Sequence, residues 1–405
     1  MRIYVNAATA VVGGAIQVAV GLIQNTTDDS SKDEFYYAIS GSIAEELRAM
    51  NWQVPENVMV LNNSPAKIVS GRKSRSRIKA SVQMFNPHVI YSIASPSYLK
   101  FNGHIEVARF TDPWLTHPNR HAYSTLKYFQ RISYWMRVKY KKYALRRVKY
   151  YVTQSEVAAI GIVRKLKVER SNVKVIPNDY NPIFFCEKDI NRSNPNVKKW
   201  KIFVLGYPYP HKHFEIVPQV AKQLSLKGQN FHIYITLPSS APRSMSIKKH
   251  ANRLGVDTKI TYLDKLSLEE CRDYYTKSDI LFMPTLLETF SATYLEAMAM
   301  KIPIVTSNLN FASDVCGDSA IYYEPKSVRD ATNKIVSLID DPELYNKCAI
   351  NGSRRLEAFN KNIDYYKITK EFLEYIYEQN KGVKGKSSLL SDSGPIFKSK
   401  KVSDN

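Results

Sequence analysis

The sequence predicts an α/β fold: two Rossmann-like, doubly wound domains facing a cleft. Three observations carry this expectation. Short runs rich in Val, Ile, Tyr and Phe alternate with helical patterns along most of the chain, which implies parallel sheets covered on both faces. A length of 405 residues exceeds one ordinary core and suits two domains of average size. A Pro- and Asn-rich stretch without periodicity, from Asn178 to Lys199, separates two series of such runs and reads as a linker.

The first series places strands at 3–7, 58–61, 89–93, 107–111, 151–153 and 173–176. The second places them at 202–205, 231–236, 260–262, 280–283, 304–306 and 320–323. The domains are then 1–178 and 200–362, joined by a linker at 179–199. An amphipathic helix follows at 363–380, expected to cross back onto the first domain, and the Gly-, Ser- and Lys-rich tail 381–405 is expected to be disordered. Doubly wound sheets bind ligands at the carboxyl ends of their strands, so the cleft between the domains is the expected site.

Composition narrows the chemistry. Hydrophobic residues make up 44 %, enough for two buried sheets. A formal charge of +21 points to anionic partners: nucleic acid, phosphorylated small molecules or acidic lipid. The four cysteines (Cys186, Cys271, Cys316, Cys348) are far apart, with no CxxC and no paired histidines nearby, which argues against a disulfide framework or a zinc site. The N-terminus enters a strand pattern at Arg2-Ile3-Tyr4-Val5 without a signal-peptide layout, and no run of 18 apolar residues occurs. The expected location is cytoplasmic, or peripheral at the inner face of the cell membrane.

The most informative segment runs from Ser278 to Ala299. A buried strand ends at Pro284, a loop carries Glu288, and a helix runs through Glu296. The helix start at Phe290, Ser291, Ala292 and Thr293 offers backbone N–H groups and a positive dipole end to a phosphate. Two carboxylates flank that place, and each can accept hydrogen bonds from sugar hydroxyls. Thr285-x-x-Glu288 also reads as a capping box, and Glu296 as an ordinary helix residue. Upstream, Gly13 and Gly14 follow the first strand and open a helix, where glycine lets backbone approach a ligand closely; a tight turn alone explains them as well. Asp112 follows the strand 107–111 and precedes Pro113, either as a site residue or as a turn initiator. Trp114 either stacks on a sugar ring or fills a core gap.

With these residues the chain resembles the retaining glycosyltransferases of family 4, which have the GT-B fold. Their hallmark is two glutamates separated by seven residues at a strand-to-helix junction, and Glu288 and Glu296 match it. Val175-Ile176-Pro177-Asn178, Gly206 to His213, and Asp314 to Ala320 look like further family segments in the same order. The resemblance implies that Glu288 acts at the donor sugar and Glu296 holds the donor ribose. Lys212, Phe290, Ser291, Ala292, Thr293, Gly13 and Gly14 would bind the donor, and Asp112 would lie near the reacting sugar. Many relatives have His-Asp where this chain has Thr111-Asp112, and an Arg where it has Tyr207, so a second diphosphate cation must come from elsewhere. No two aspartates are separated by a single residue, so the metal-binding DxD signature is absent and no metal or other cofactor is expected.

From Pro113 to Ser155 there is no acidic residue but ten Lys and Arg, interleaved with Tyr128, Phe129, Tyr134, Trp135, Tyr140 and Tyr143. A second basic run spans Lys67 to Lys79. Cations with interfacial aromatics suit an anionic bilayer. The expected activity is transfer of a hexose-type unit from a nucleoside-diphosphate sugar to a glycan or lipid-linked acceptor, with an anionic membrane surface as partner and no nucleic acid. The resemblance makes bacterial surface polysaccharide the natural setting. The alternatives are a nucleic-acid-binding α/β protein and a non-catalytic sugar-binding relative.

Overall fold

The computed structural model describes residues 1–11, 13–27, 33–52, 55–178, 180–185, 199–360 and 365–381. Most of the expected linker and nearly all of the expected tail lie outside these residues. The chain forms two compact units, each built on one parallel sheet.

Unit 1 holds seven strands: β1 (Arg2–Ala7), β2 (Glu34–Ser40), β3 (Val58–Leu61), β4 (Val89–Ser92), β5 (Ile105–Arg109), β6 (Tyr150–Thr153) and β7 (Val173–Val175). Their order is β3-β2-β1-β4-β5-β6-β7, all parallel. The chain turns back across the sheet after β3, so β1 and β4 flank the switch point. Period-two alternation fills both faces. Ile3, Val5 and Ala7 of β1 enter one core, while Tyr4 enters the opposite one with Ile78, Val82 and Ile90.

Strand β2 was not among the sequence expectations. Its run Phe35-Tyr36-Tyr37-Ala38-Ile39 is followed by Ser40 alone before the helix Gly41–Ala49, so the strand and helix patterns abut. The helix begins because the Ser40 hydroxyl accepts the Ile43 N–H as an N-cap.

Unit 2 holds β8 (Trp200–Val204), β9 (Phe231–Thr236), β10 (Ile260–Leu263), β11 (Ile280–Met283), β12 (Ile304–Ser307) and β13 (Ala320–Tyr323), in the order β10-β9-β8-β11-β12-β13. This is the dinucleotide-fold order, with its switch point between β8 and β11. Ile202 and Val204 pack on one face and Phe203 on the other. A buried clasp fixes β11 beside β8. Lys201 N–H donates to Asp279 Oδ2 (2.8 Å), Asp279 N–H donates to Lys201 O (2.7 Å), and the Tyr345 hydroxyl donates to Asp279 O (2.8 Å).

The helix Tyr365–Asn380 follows unit 2 in sequence but belongs to unit 1. Phe372, Leu373 and Ile376 join the core of Ile3 and Val5, the Tyr365 hydroxyl meets that of Tyr91 (2.8 Å), and Asn380 donates to the Tyr150 hydroxyl (2.9 Å). Residues 118–132, counted with the first domain from sequence, cluster with unit 2 instead. Asn119 explains why: its side chain caps the helix Arg120–Ser124 and donates to Leu286 O (2.8 Å). Among the described residues no helix is long and apolar enough to cross a membrane.

Candidate active site

In unit 2 the loops leaving β8 and β11 lie side by side, as a switch point dictates. After β8 the backbone turns at Gly206, whose φ of +145° only glycine adopts readily. Thr236 pins that turn: Gly206 N–H donates to its hydroxyl oxygen (2.8 Å), and the hydroxyl donates to Gly206 O (2.7 Å). A 3-10 turn, Pro210–Lys212, then folds the Lys212 side chain back over Gly206, where an added Cβ would lie 3.8 Å from Nζ. Leu286 N–H of the second loop donates to His211 O (2.7 Å) and ties the loops together.

This geometry brings Lys212 and Glu288 into an ion pair, both nearly buried at 13 % and 14 % exposure. The Thr285 hydroxyl donates to the same Glu288 oxygen (3.0 Å). Thr285 and Glu288 do not form a capping box, because the next helix starts only at Ala292. Ser291 stands at the N-cap of that helix, Ala292–Ala299, without a side-chain cap bond. The first N–H groups of that helix therefore receive no bond from the Ser291 side chain.

Glu296 lies one turn along the same helix. Burial pushes its carboxyl up to about 7, opposed by the hydrogen bond from Tyr275 and by the charge of Lys212. The Tyr275 hydroxyl donates to Glu296 Oε2 (2.9 Å). Lys212 thus acts on both carboxylates, binding one directly and the other through space.

Sequence reasoning gave three neighbours no role at this site: Thr285, Tyr275 and His213. Thr285 and Tyr275 look in sequence like strand-end and helix-core residues, and only their hydroxyl bonds reveal otherwise. His213 has φ +52°, and burial, with the charges of Lys326 and Arg243, lowers its pKa to about 4. It is a neutral imidazole near neutral pH, set in the loop after β8. Lys326 and Arg243 are the cations that stand near this loop. The Arg expected from the resemblance is Tyr207, a half-exposed ring tilted against Tyr209 at 4.6 Å.

Other expected residues find different surroundings. Phe290 is buried and meets Phe359 edge to face (6.1 Å), so its ring packs a core. In unit 1, Gly13 and Gly14 follow β1 at the switch point, and Gly13 takes φ +67°. Ser40 Oγ donates to Ala10 O (2.5 Å), holding that turn against β2. Asp112 follows β5 and caps the helix Pro113–Thr116: its Oδ1 accepts the Trp114 N–H (3.0 Å), and its Oδ2 pairs with Lys141. Trp114 is buried and tilts against Tyr134 (4.6 Å), which makes it a packing residue. Among the described residues no cluster of three His, Cys, Asp or Glu gathers in metal-binding geometry.

The acid-free stretch forms the helix Tyr128–Leu145, of which only Leu145 is buried. Phe129 is 82 % and Trp135 56 % exposed. In the second basic run Arg75 is committed internally, donating to the carbonyls of Pro65, Lys67 and Ile68 at 2.6–2.7 Å.

The chain is similar to known glycosyltransferases. Residues 186–355 match the family described as glycosyl transferases group 1. The O-antigen chain mannosyltransferase RfbU of Salmonella typhimurium is 24 % identical over 208 residues, 51 % of this chain and 56 % of that protein. The capsular polysaccharide biosynthesis glycosyltransferase CapM of Staphylococcus aureus is 27 % identical over 26 % of this chain and 28 % of its own. The chain thus spans about half or less of the length of these curated relatives. A Rickettsia africae glycosyltransferase structure superposes with a TM-score of 0.66 at 16 % identity, over 93 % of this chain and 97 % of the other. Anabaena HepE, solved with UDP and glucose, superposes with a TM-score of 0.68 at 13 % identity, over 94 % and 99 %. The chain therefore has the two-sheet GT-B fold, and its residues 186–355 match the glycosyl transferases group 1 family.

Proposed function

We propose that the protein is a retaining glycosyltransferase moving a hexose-type sugar from a nucleoside-diphosphate donor to a glycan or lipid-linked acceptor, as in bacterial surface polysaccharide assembly. The observation that carries this reading is the Lys212–Glu288 pair at the β8/β11 switch point, beside a helix start without a side-chain cap. A diphosphate competes with Glu288 for the Lys212 ammonium and accepts the N–H groups of Ala292 and Thr293. Glu288, released from the lysine, accepts a hydroxyl of the donor sugar. Glu296 takes the ribose. The relative HepE was solved with UDP and glucose, which supports a donor of this class.

In the transfer, the bond from the sugar anomeric carbon to the diphosphate oxygen breaks, and a bond to the acceptor oxygen forms on the same face. The acceptor proton passes to the departing phosphate oxygen. Lys212 and the helix N–H groups stabilise the charge that builds on that phosphate, so the reaction proceeds without a divalent ion. Asp112 serves the first unit as a positioning residue for Pro113–Thr116, and Gly13 and Gly14 leave room for ligand backbone contact. The exposed basic helix Tyr128–Leu145 attaches the protein to anionic lipid.

The test is a panel of nucleoside-diphosphate sugars incubated with the full chain in excess EDTA, with products read by NMR. Release of the diphosphate, and an anomeric configuration equal to the donor's, is the expected result. Inversion overturns retention. Activity that vanishes in EDTA and returns with magnesium or manganese overturns metal independence. Donor binding without turnover favours the non-catalytic sugar-binding alternative.

A further inference from the structure

Unit 1 contains a cavity of roughly 190 Å³ that shares no residue with the glycine turn or with the Lys212–Glu288 site. It lies between the β4–β5 crossover, residues 93–104, and the end of the basic helix. No helix forms in that crossover; Leu99 and Phe101 instead pin it to the sheet, packed in the core of Tyr4 and Ile78. Pinning the crossover leaves Tyr98 facing the helix, where it stacks on Tyr140 at 5.6 Å and 20°. That stacked pair forms one wall.

The remaining walls are strongly charged. Lys100, Arg146 and Arg147 line the cavity with His104, against a single carboxylate, Glu106. Among the described residues none of these three cations joins an ion pair. The Arg146 guanidinium rests on the Tyr143 ring at 3.9 Å, which orders it without neutralising it. Glu106 accepts the Ser92 hydroxyl (2.7 Å), and burial raises its carboxyl above the ordinary range, so its negative charge is disfavoured there. A solvated helix face has no need of a cavity. Three uncompensated cations around one, with a stacked aromatic wall, form a receptor for an anion that carries an organic group.

We propose that this cavity binds a phosphate ester, with the phosphate held by Arg146, Arg147 and Lys100 and its organic substituent lying against Tyr98 and Tyr140. Arginine suits phosphate because its planar fork donates two parallel hydrogen bonds. The volume is below the ~300–1,000 Å³ of sites that enclose drug-sized ligands, so a head group fits better than a whole nucleotide sugar. The ester has two sources, a soluble phosphorylated metabolite or a phospholipid head group presented at the exposed helix. The proposal is independent of the transfer reading, because no residue of the donor site takes part.

The experiment compares two double variants with equal loss of charge on the same exposed helix region. Arg146→Gln/Arg147→Gln alters the cavity, and Lys139→Gln/Lys142→Gln lies outside it. The probes are glycerol 3-phosphate, followed by calorimetry, and vesicles of phosphatidylglycerol, followed by co-sedimentation. Losing charge-assisted bonds at the cavity weakens glycerol 3-phosphate binding about tenfold or more, while the outside pair changes it by about twofold; vesicle binding falls in both variants, and further in the cavity pair. Cavity-dependent binding of glycerol 3-phosphate identifies a soluble ester as sufficient. Cavity-dependent binding of vesicles alone identifies the lipid head group. Equal losses in both variants mean diffuse charge attraction and overturn the proposal, as does the absence of any probe binding in the wild type.

Discussion

Each unit contains a lysine–carboxylate pair just beyond the carboxyl end of a parallel strand, and the two are built to different ends. In unit 1, Asp112 caps a helix: one oxygen takes the Trp114 N–H and the other takes Lys141. In unit 2, Glu288 sits in a loop before a helix that Ser291 leaves without a side-chain cap, and Lys212 also reaches Glu296 electrostatically. The Lys141 side chain is 30 % exposed, that of Lys212 only 13 %. The same two charges therefore stabilise a turn in one place and, in the function proposed above, compose an anion site in the other. What decides is whether the neighbouring helix start has already spent its donors.

The largest expected effect breaks the second pair. Lys212→Ala should lower turnover about 10²–10³-fold, the usual cost of removing a preorganised donor to developing charge, with an unchanged circular dichroism spectrum. Wild-type turnover would remove Lys212 from the chemistry. Next in size, Glu296→Gln should weaken donor binding roughly ten- to a hundredfold by removing a charge-assisted bond to the ribose.

Glu296 also makes a pH prediction. Its pKa rises from an ordinary 4.5 to about 7 on folding, so between these values the folded chain keeps a proton that the unfolded chain has lost. Stability should therefore fall as pH rises from 4.5 to 7, by on the order of 1–3 kcal/mol, and Glu296→Gln should flatten that slope. Equal slopes in denaturant titrations of both proteins would contradict the assignment.

The smallest effects contrast the two glycine turns. Ala at Gly206 or at Gly13 should each cost about 1 kcal/mol for its positive φ. Gly206→Ala should also reduce turnover, because strain in that turn shifts the loop that carries Lys212. A Gly13→Ala variant with the same catalytic loss would show that the first turn is equally engaged.

Much of this was legible in the sequence because buried parallel strands are nearly continuous apolar runs. Strand β11, Ile280–Met283, and the spacing of Glu288 and Glu296 stand out without coordinates. Other features have no local signal. Strand β2 merges with its helix, Asn119 acts through a bond to a residue 167 positions away, and Tyr275 reaches Glu296 from a different helix. The role of Lys141 was hidden as well: in sequence it is one cation of ten in an acid-free run, and only the fold assigns it to Asp112. Phe290 is also illegible in part, since sequence does not show that its ring packs against Phe359.

The most direct measurement of the central claim is calorimetric titration of UDP and GDP into the wild type, Lys212→Ala and Asp112→Asn. The account predicts that one diphosphate binds the wild type, that Lys212→Ala weakens it about tenfold or more, and that Asp112→Asn leaves the affinity unchanged while lowering thermal stability. Equal affinity in the wild type and Lys212→Ala, or a loss confined to Asp112→Asn, would contradict it.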